Sequence, residues 1–559
     1  MENTKSSYEF HCRLEAFSDF CRREWKSLAI CAGLFCLAMV AAIAYIDPAF
    51  FYSRLSTDPL NYYLKAKSFA ETGSTAAVSA VNSQPFVYAA MPGVLRAPFL
   101  LMFRDFDDQL RAMQLFNAVI LGSIALMSAF VLSWTQPKHR HPYVIAFAFA
   151  FTLLSPIWLA NVFLPLADAP YAAFSLAALL VSIRILCAMR PGLRAGAIAL
   201  FAILFGIAFM LRFTAPLLLV YPAVLAHGRW GLRNASRRAW LVGGTIIVVF
   251  LMALTAMNVQ AIFGKYVFEP LWYIAKSDKL SIGGNLLAVA LPSQVIPNFQ
   301  LGFVHPPVLE RYATTFTASP ADTAWMMVGL LISALIATGL WRARDRYLPE
   351  IACVIAPLPV LAPILPSTTR YMMSYQAFIW IFFYLGAVAF AKRSGLIVLL
   401  RRRAVLATAS VLIVGGVIGL RWWKVAGGAS ESVLAVSVTN AAGYINGVGG
   451  TFRGLRGFIE TLPRDRTLLI GDPGTAGRWK IIADRDYYDP DPSLPSVVRD
   501  KDVYLLAECG TLDECQSWEH YRDKAQARVS EFGEFQFDSV YSAQSPRAHV
   551  AVFRLRNSL

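Results

Sequence analysis

Apolar residues in this chain gather into long runs, and the charged residues fall in the gaps between them. Eleven runs are candidate spans, at 28 to 46, 115 to 134, 143 to 162, 168 to 189, 195 to 211, 213 to 227, 239 to 262, 323 to 341, 350 to 366, 371 to 391 and 404 to 421. Several approach the roughly 20 apolar residues that one helix needs to cross a bilayer. From residue 425 the pattern changes, with Asp, Glu, Arg and Gly now frequent. Short β-type runs at Thr467 to Ile470, Val503 to Leu506 and His549 to Phe553 are separated by helix-compatible polar stretches such as 516 to 529. The pattern predicts an α-helical polytopic membrane protein with about eleven transmembrane helices. A small C-terminal α/β domain follows a Gly-rich linker near 443 to 450, so the expected organisation is 1 to 27, 28 to 424 and 425 to 559.

Composition agrees with the pattern. Hydrophobic residues make up 57% and charged residues 16%, against about 25% charged in ordinary soluble domains. Mean hydropathy is +0.49 over 559 residues, which excludes a disordered, fibrous or simple cytosolic chain. The net charge of +15 invites a nucleic-acid reading until its distribution is examined. Alternate gaps carry Lys138 and Arg140; Arg190 and Arg194; Arg229, Arg233, Arg237 and Arg238; Arg342, Arg344 and Arg346; and Lys392, Arg393 and 401 to 403. Asp345 is the one acid among them. Lys and Arg are retained on the cytoplasmic side, so these gaps and the N-terminus are predicted cytoplasmic. Residues 47 to 114, 263 to 322 and 425 to 559 are then extracytoplasmic. The positive charge is a topology signal, with no nucleic-acid partner implied.

The first span follows Arg22, Arg23 and Lys26 and reads as an uncleaved signal anchor. Six of the eight cysteines fall in cytoplasmic or membrane segments. Cys509 and Cys515 fall in the outer domain, either as a local disulfide or as two free thiols. The one Asn-x-Ser/Thr sequon, at Asn234, lies in a predicted cytoplasmic loop. With the overall style of the chain, this favours a bacterial inner membrane over an ER membrane.

Charge inside the predicted spans is confined to Asp168, Arg184, Glu350 and Arg421, all near span ends. An ion-coupled transporter would place such groups near the midplane, so the chemistry is expected at the outer interface. In the first outer loop, residues 57 to 73 read as one amphipathic helix, with Asp58 as N-cap, Pro59 in the first turn and Gly73 as the stop. Asp58 is either that cap alone or a carboxylate placed to act as a general base, with Tyr62 one turn on. Asp168, after the short turn Pro165 to Ala167, is either a cap or part of one interfacial site on which Asp58, Asp168, Arg212 and Arg370 converge. Arg212 and Arg370 at outer helix ends either snorkel to headgroups or hold phosphate, which a guanidinium does with a permanent charge and a two-pronged donor set. His305 reads as a loop residue.

At these residues the chain resembles the GT-C superfamily of integral-membrane glycosyltransferases. The likeness is to the dolichyl- or undecaprenyl-phosphate sugar transferases related to protein O-mannosyltransferases and lipid A aminoarabinose transferases. It is carried by Asp58, Tyr62, Ala66 and Gly73; by Pro92, Pro98, Arg111, Gln114 and Asn117; and by the Pro165-to-Pro170 turn with Asp168. The Gly206-to-Arg212 helix end and Arg370-Tyr371 complete it, over about residues 28 to 391. The resemblance implies transfer of a sugar from a polyprenyl-phosphate donor to an extracytoplasmic glycan, lipid or protein acceptor, with inversion. Asp58 is then the catalytic base, Arg212 and Arg370 bind the donor phosphate, and Tyr62, Asp168 and Tyr371 contact substrate. Some members hold a divalent cation on an acidic second outer loop, which would make Asp58 and Asp168 ligands of Mg or Mn. The chain departs from many relatives in having Asp58-Pro59 where they have Asp-Glu, and Met91-Pro92-Gly93 where they have Pro-Pro-Leu.

The alternatives are a polysaccharide or lipid flippase or transporter, a glycan polymerase or ligase using pyrophosphate-linked donors, and a non-catalytic assembly or sensor protein. The stretches around Asp472, Trp479-Lys480 and Asp484 to Asp491 are read either as positioning an acceptor or as a structural cover for the loops.

Overall fold

The computed structural model describes residues 2–55, 57–74, 91–135, 142–154, 162–187, 191–212, 215–228, 331, 334–356, 375–394, 438–471, 478–479, 481–488, 490–509, 518–545 and 548–557. In chain order its helices are α1 (Glu2–Cys12), α2 (Phe17–Tyr45), α3 (Thr57–Thr72), α4 (Met91–Val94), α5 (Ala97–Met102), α6 (Phe106–Ser133) and α7 (Pro142–Leu154). They continue with α8 (Asp168–Cys187), α9 (Pro191–Leu211), α10 (Leu348–Ile355), α11 (Gln376–Arg393) and α12 (Val438–Thr461). The last two, α13 (Leu494–Asp500) and α14 (Trp518–Ser530), alternate with strands β1 (Thr467–Ile470), β2 (Asp486–Tyr487), β3 (Asp502–Cys509), β4 (Phe535–Ser545) and β5 (Ala548–Asn557). Among the described residues, α2, α6 and α8 are long and apolar enough to cross a membrane. Predicted spans at 239 to 262 and 404 to 421 lie outside the described residues.

Two helices start earlier than their apolar runs. The run at 28 belongs to a helix that begins at Phe17, in whose second turn Arg23 pairs with both Glu15 and Glu24. The run at 115 belongs to a helix that begins at Phe106. Asp105 accepts the Asp107 amide at 2.8 Å, capping that helix in the usual way.

The chain divides into two compact units, the first comprising 1–38, 117–161 and 167–432. Within it, α8 and α9 run against each other. The helix at 334–343 meets α11 at two glycines. A Cβ on Gly339 would collide with the Phe382 carbonyl, and one on Gly386 with the Leu335 carbonyl. Small residues that let two backbones approach are the usual device where lipid offers no hydrophobic drive to pack helices. The N-terminal helix α1 is anchored in the same unit by buried polar groups. His11 Nε2 lies 2.8 Å from Glu350 Oε1, Tyr221 donates to the same oxygen at 2.7 Å, and Ser7 donates to the Arg346 carbonyl at 2.9 Å. A disulfide joins Cys12 to Cys187, two residues placed by the positive-charge pattern on the cytoplasmic side. The packing of α1 against the end of α8, with Tyr8 donating to the Leu186 carbonyl at 3.5 Å, brings them together.

The second unit comprises 39–116, 162–166 and 433–559. Its sheet has the order β2-β1-β3-β5-β4. The pairs β2–β1 and β1–β3 are parallel, and β3–β5 and β5–β4 antiparallel. Buried Ile470, Val503, Leu505, Val529, Ala551 and Phe553 belong to its core. The run Val503 to Ala507 is buried at every position, as a strand covered on both faces should be. Strand β4, which alternates polar and apolar residues, had no counterpart in the sequence reading. The predicted Gly-rich linker near 443 to 450 is instead part of α12. Its glycines at 443, 447, 450, 454 and 457 recur at helical spacing, and the helix packs on β4, β5 and the 3-10 turn Pro48–Arg54. Tertiary contact therefore overrides the low helix propensity of glycine, about 1 kcal/mol per residue relative to alanine. Cys509 is disulfide-bonded, and its expected partner, Cys515, lies outside the described residues.

Two tests follow from the first unit. Gly339→Leu or Gly386→Leu should lower the unfolding midpoint in detergent by an amount corresponding to about 1–3 kcal/mol of overpacking. Gly33→Leu, where a Cβ meets nothing within 4 Å, should leave it unchanged. His11 is destabilised as a cation by burial, but the Glu350 charge and hydrogen bond outweigh this and raise its pKa above 6.5. Its contribution is therefore full below pH 6.5 and lost as pH rises through the elevated folded value. The stability difference between wild type and His11→Gln should accordingly be largest in mild acid and shrink toward alkaline pH.

Candidate active site

The candidate base sits on α3, which starts at Thr57, so Asp58 occupies the first helical turn and not the N-cap itself. The turn after the helix matches expectation, with Gly73 at φ +71° and its amide bonded to the Phe69 carbonyl at 2.9 Å. That left-handed conformation suits glycine. Asn61, Tyr62, Tyr63 and Ala66 are buried on the helix. Its close neighbour is α4. A Cβ on Gly93 would lie 2.7 Å from Lys65 Cβ and 2.9 Å from the Ala66 amide nitrogen. Gly93 is thus what lets α4 lie against the helix bearing Asp58. Tyr63 donates to Gln109 Oε1. Burial, then the charges of Asp105 and Glu71, push its phenol above the ordinary tyrosine value, so it stays a neutral donor.

The turn that precedes Asp168 is held by two side chains of the same unit. Arg96 is fully buried and donates to the Pro92 carbonyl at 2.8 Å and to the Leu166 carbonyl. Gln114 donates to the Phe163 carbonyl at 3.2 Å, and Phe163 stacks on Phe51 with ring centroids 5.0 Å apart. Backbone carbonyls in a buried turn need such donors.

In the other unit, Asp168 and Arg212 come together. Asp168 opens α8, Arg212 follows the last residue of α9, and an Arg212 Nη2 donor bonds to Asp168 Oδ1. The two side chains are 1% and 7% exposed, so Arg212 does not reach for the headgroups. A carboxylate in that position neutralises the guanidinium and fixes its direction. Arg370 and Tyr371 lie outside the described residues, so the structure joins two of the proposed site residues and leaves that second pair undescribed.

The divalent-metal reading fits poorly with these contacts. Asp168, one of its two candidate ligands, is committed to Arg212. Among the described residues no group of three or more His, Cys, Asp and Glu side chains is arranged to hold a metal ion.

Sequence reasoning passed over an arginine network in the unit of Asp58. Arg456 on α12 donates to Tyr52 at 3.0 Å, to Asp105 at 2.7 Å and to Glu460 at 2.7 Å. Arg453 pairs with Asp47 at 2.6 Å and Asp107 at 3.7 Å. Despite its partial burial, Asp105 titrates below the ordinary aspartate value because Arg456 bonds to it. The Arg456–Glu460 spacing of four was legible as a helical pair. The partners some 350 to 400 residues away were not.

No protein-family model and no curated protein matches the chain. Among solved structures it is similar to ArnT from Cupriavidus metallidurans in the apo state, with 13% identity, a TM-score of 0.48, and coverage of 92% of this chain and 97% of that one. It is likewise similar to ArnT from the same organism bound to undecaprenyl phosphate, with 13% identity, a TM-score of 0.45 and the same coverage.

Proposed function

We propose that this chain is a GT-C-type membrane glycosyltransferase that transfers a hexosyl or pentosyl unit from a polyprenyl-phosphate donor to an extracytoplasmic glycan, lipid or protein acceptor. The observation that carries the reading is the buried Asp168–Arg212 pair. It unites, at the ends of two apolar helices, Arg212, which the resemblance assigns to the donor phosphate, and Asp168, which it assigns to substrate contact. A guanidinium pre-oriented by a carboxylate is suited to a phosphate leaving group, since its direction is set before substrate arrives. The other support is the start of α3, where Asp58 opens a helix held against α4 by the close approach at Gly93.

In the proposed reaction Asp58 removes the proton from an acceptor hydroxyl as its oxygen attacks the anomeric carbon. The bond from that carbon to the phosphate oxygen breaks, its electron pair leaves with the polyprenyl phosphate, and the anomeric configuration inverts. Arg212 and Arg370 balance the charge gathering on the departing phosphate, while Tyr62 and Tyr371 contact the sugar or acceptor. The reacting face is extracytoplasmic, in a bacterial inner membrane with the N-terminus in the cytoplasm. No step is routed through a metal.

Transfer of radiolabelled sugar in membranes, at matched expression, tests this reading. Asp58→Asn should lower the rate by about 100- to 10,000-fold, the range for loss of a general base. Arg212→Lys keeps the charge but loses the fork, and should reduce kcat more than it raises KM. Near-normal transfer by Asp58→Asn would sink the assignment of the base.

A further inference from the structure

Cys12, the last residue of α1, is bonded to Cys187, the last residue of α8, 175 positions along the chain. Both residues are only half-buried, as a pair open to exchange with small solutes must be. The positive-charge pattern predicts that both face the cytoplasm, with Arg22, Arg23 and Lys26 following the one and Arg190 and Arg194 the other. Thiols in that compartment are kept reduced, and the disulfides that do form there are mostly transient, catalytic or redox-sensing. A geometry that closes the bond and surroundings that open it are compatible when the bond is reversible.

The docking of α1 does not depend on the bond. Ser7 donates to the Arg346 carbonyl at 2.9 Å, His11 Nε2 lies 2.8 Å from Glu350 Oε1, and Phe10 meets Tyr347 edge-on with ring centroids 5.1 Å apart. A Cβ on Gly228 would collide with the Thr4 carbonyl, so α1 lies directly on that backbone. These contacts present one sulfur to the other and raise its effective concentration above that of any free thiol. Cys21, the next cysteine along, is free, so the pairing follows the docking and not nearness in sequence.

We propose that Cys12 and Cys187 are a reversible redox latch: reduced, they leave α1 held by its noncovalent contacts, and oxidised, they fix it covalently to the end of α8. The oxidant is a low-molecular-weight disulfide such as glutathione disulfide. One cysteine thiolate attacks it, forming a mixed disulfide and releasing the first glutathione. The other cysteine thiolate attacks the cysteine sulfur of that mixed disulfide and expels the second glutathione. The two cysteines give up two electrons and two protons, and one glutathione disulfide becomes two thiols. The latch lies at the opposite end of α8 from Asp168, and it stands whether or not the transferase reading does.

Cells expressing the full chain would be quenched in acid and alkylated, and the cysteine pairs mapped by mass spectrometry without reduction. In untreated cells Cys12 and Cys187 should carry the alkylating label. Glutathione disulfide added to isolated membranes should join the two to each other, and dithiothreitol should part them. In detergent the oxidised protein should unfold at least about 2 °C above the reduced one. Because reductant also opens the bond at Cys509, the reference is Cys12→Ser, which should lose the part of the shift that belongs to α1. Gly228→Leu keeps both cysteines but pushes α1 away, and should lower the oxidised fraction at a fixed glutathione ratio about 10-fold. Unaltered elution identifies folded variants. A bond already closed in untreated cells, no bond between these two residues after glutathione disulfide, a thermal shift as large in Cys12→Ser, or undiminished oxidation in folded Gly228→Leu would overturn the inference.

Discussion

A charge removed from water in an apolar surrounding must take an opposite charge with it, and the first unit obeys this wherever it is described. Isolated ions cost several kcal/mol to bury even after relaxation, and a hydrogen-bonded counter-charge offsets most of that. Asp168 brings Arg212; Glu350 brings His11 and the hydroxyl of Tyr221. Each pair spans elements far apart in sequence, so it does more than neutralise. The first pair fastens the start of α8 to the end of α9, and the second fastens α1 to α10. Removing one member would leave the other buried without compensation, a larger penalty than the pair is worth as a whole.

The second unit meets its charges differently, with several arginines bonded to main-chain carbonyls. Arg456 is saturated, with Tyr52, Asp105, Asp107 and Glu460 around it. It thereby serves as a structural rivet between α12 and the residues that open the outer loop and α6. Among the described residues, Arg104 makes no ion pair, and Arg485 is satisfied by main-chain carbonyls alone. Saturated arginines hold a fold, whereas an exposed arginine such as Arg104 keeps its donors toward solvent. The two kinds belong to the same unit, and only the contacts tell them apart.

That difference also explains what could and could not be read along the chain. The span at 168 to 189, the helix within 371 to 391, strands β1, β3 and β5, and the helix at 57 to 73 with its glycine stop were legible because their signals are local. Hydrophobic runs, alternation and a residue tolerant of positive φ need no partner to be recognised. The glycine-rich start of the helix at 438–461 was misread because glycine content is a local signal for a linker, while the contacts of Arg453, Arg456 and Gly449 with Asp47 and Tyr52 lie about 400 residues away. Strand β4 was missed although its residues alternate polar and apolar, because the alternation shifts at Ser539–Tyr541 and none of its residues is buried. Of the candidate site, the residue types at Asp168 and Arg212 were readable and their mutual pairing was not. The cysteine bridge from Cys12 to Cys187 was hidden for the same reason.

In the proposed reaction, the pairing of Asp168 with Arg212 also constrains which anion the guanidinium can take. An arginine free of partners at a helix end attracts any anion, including the lipid phosphates that crowd a membrane surface. An arginine already holding a carboxylate in a buried position discriminates more, because an incoming phosphate must supply enough charge and geometry to share the guanidinium or displace one of its bonds. A bidentate guanidinium can do this with one edge toward each partner. The carboxylate then lowers the net positive charge of the empty site, making weak anions less welcome, while retaining the orientation that stabilises charge as it develops on a leaving group. On the proposed reading the ion pair serves selectivity as much as burial, and both follow from the same cost of taking charge out of water.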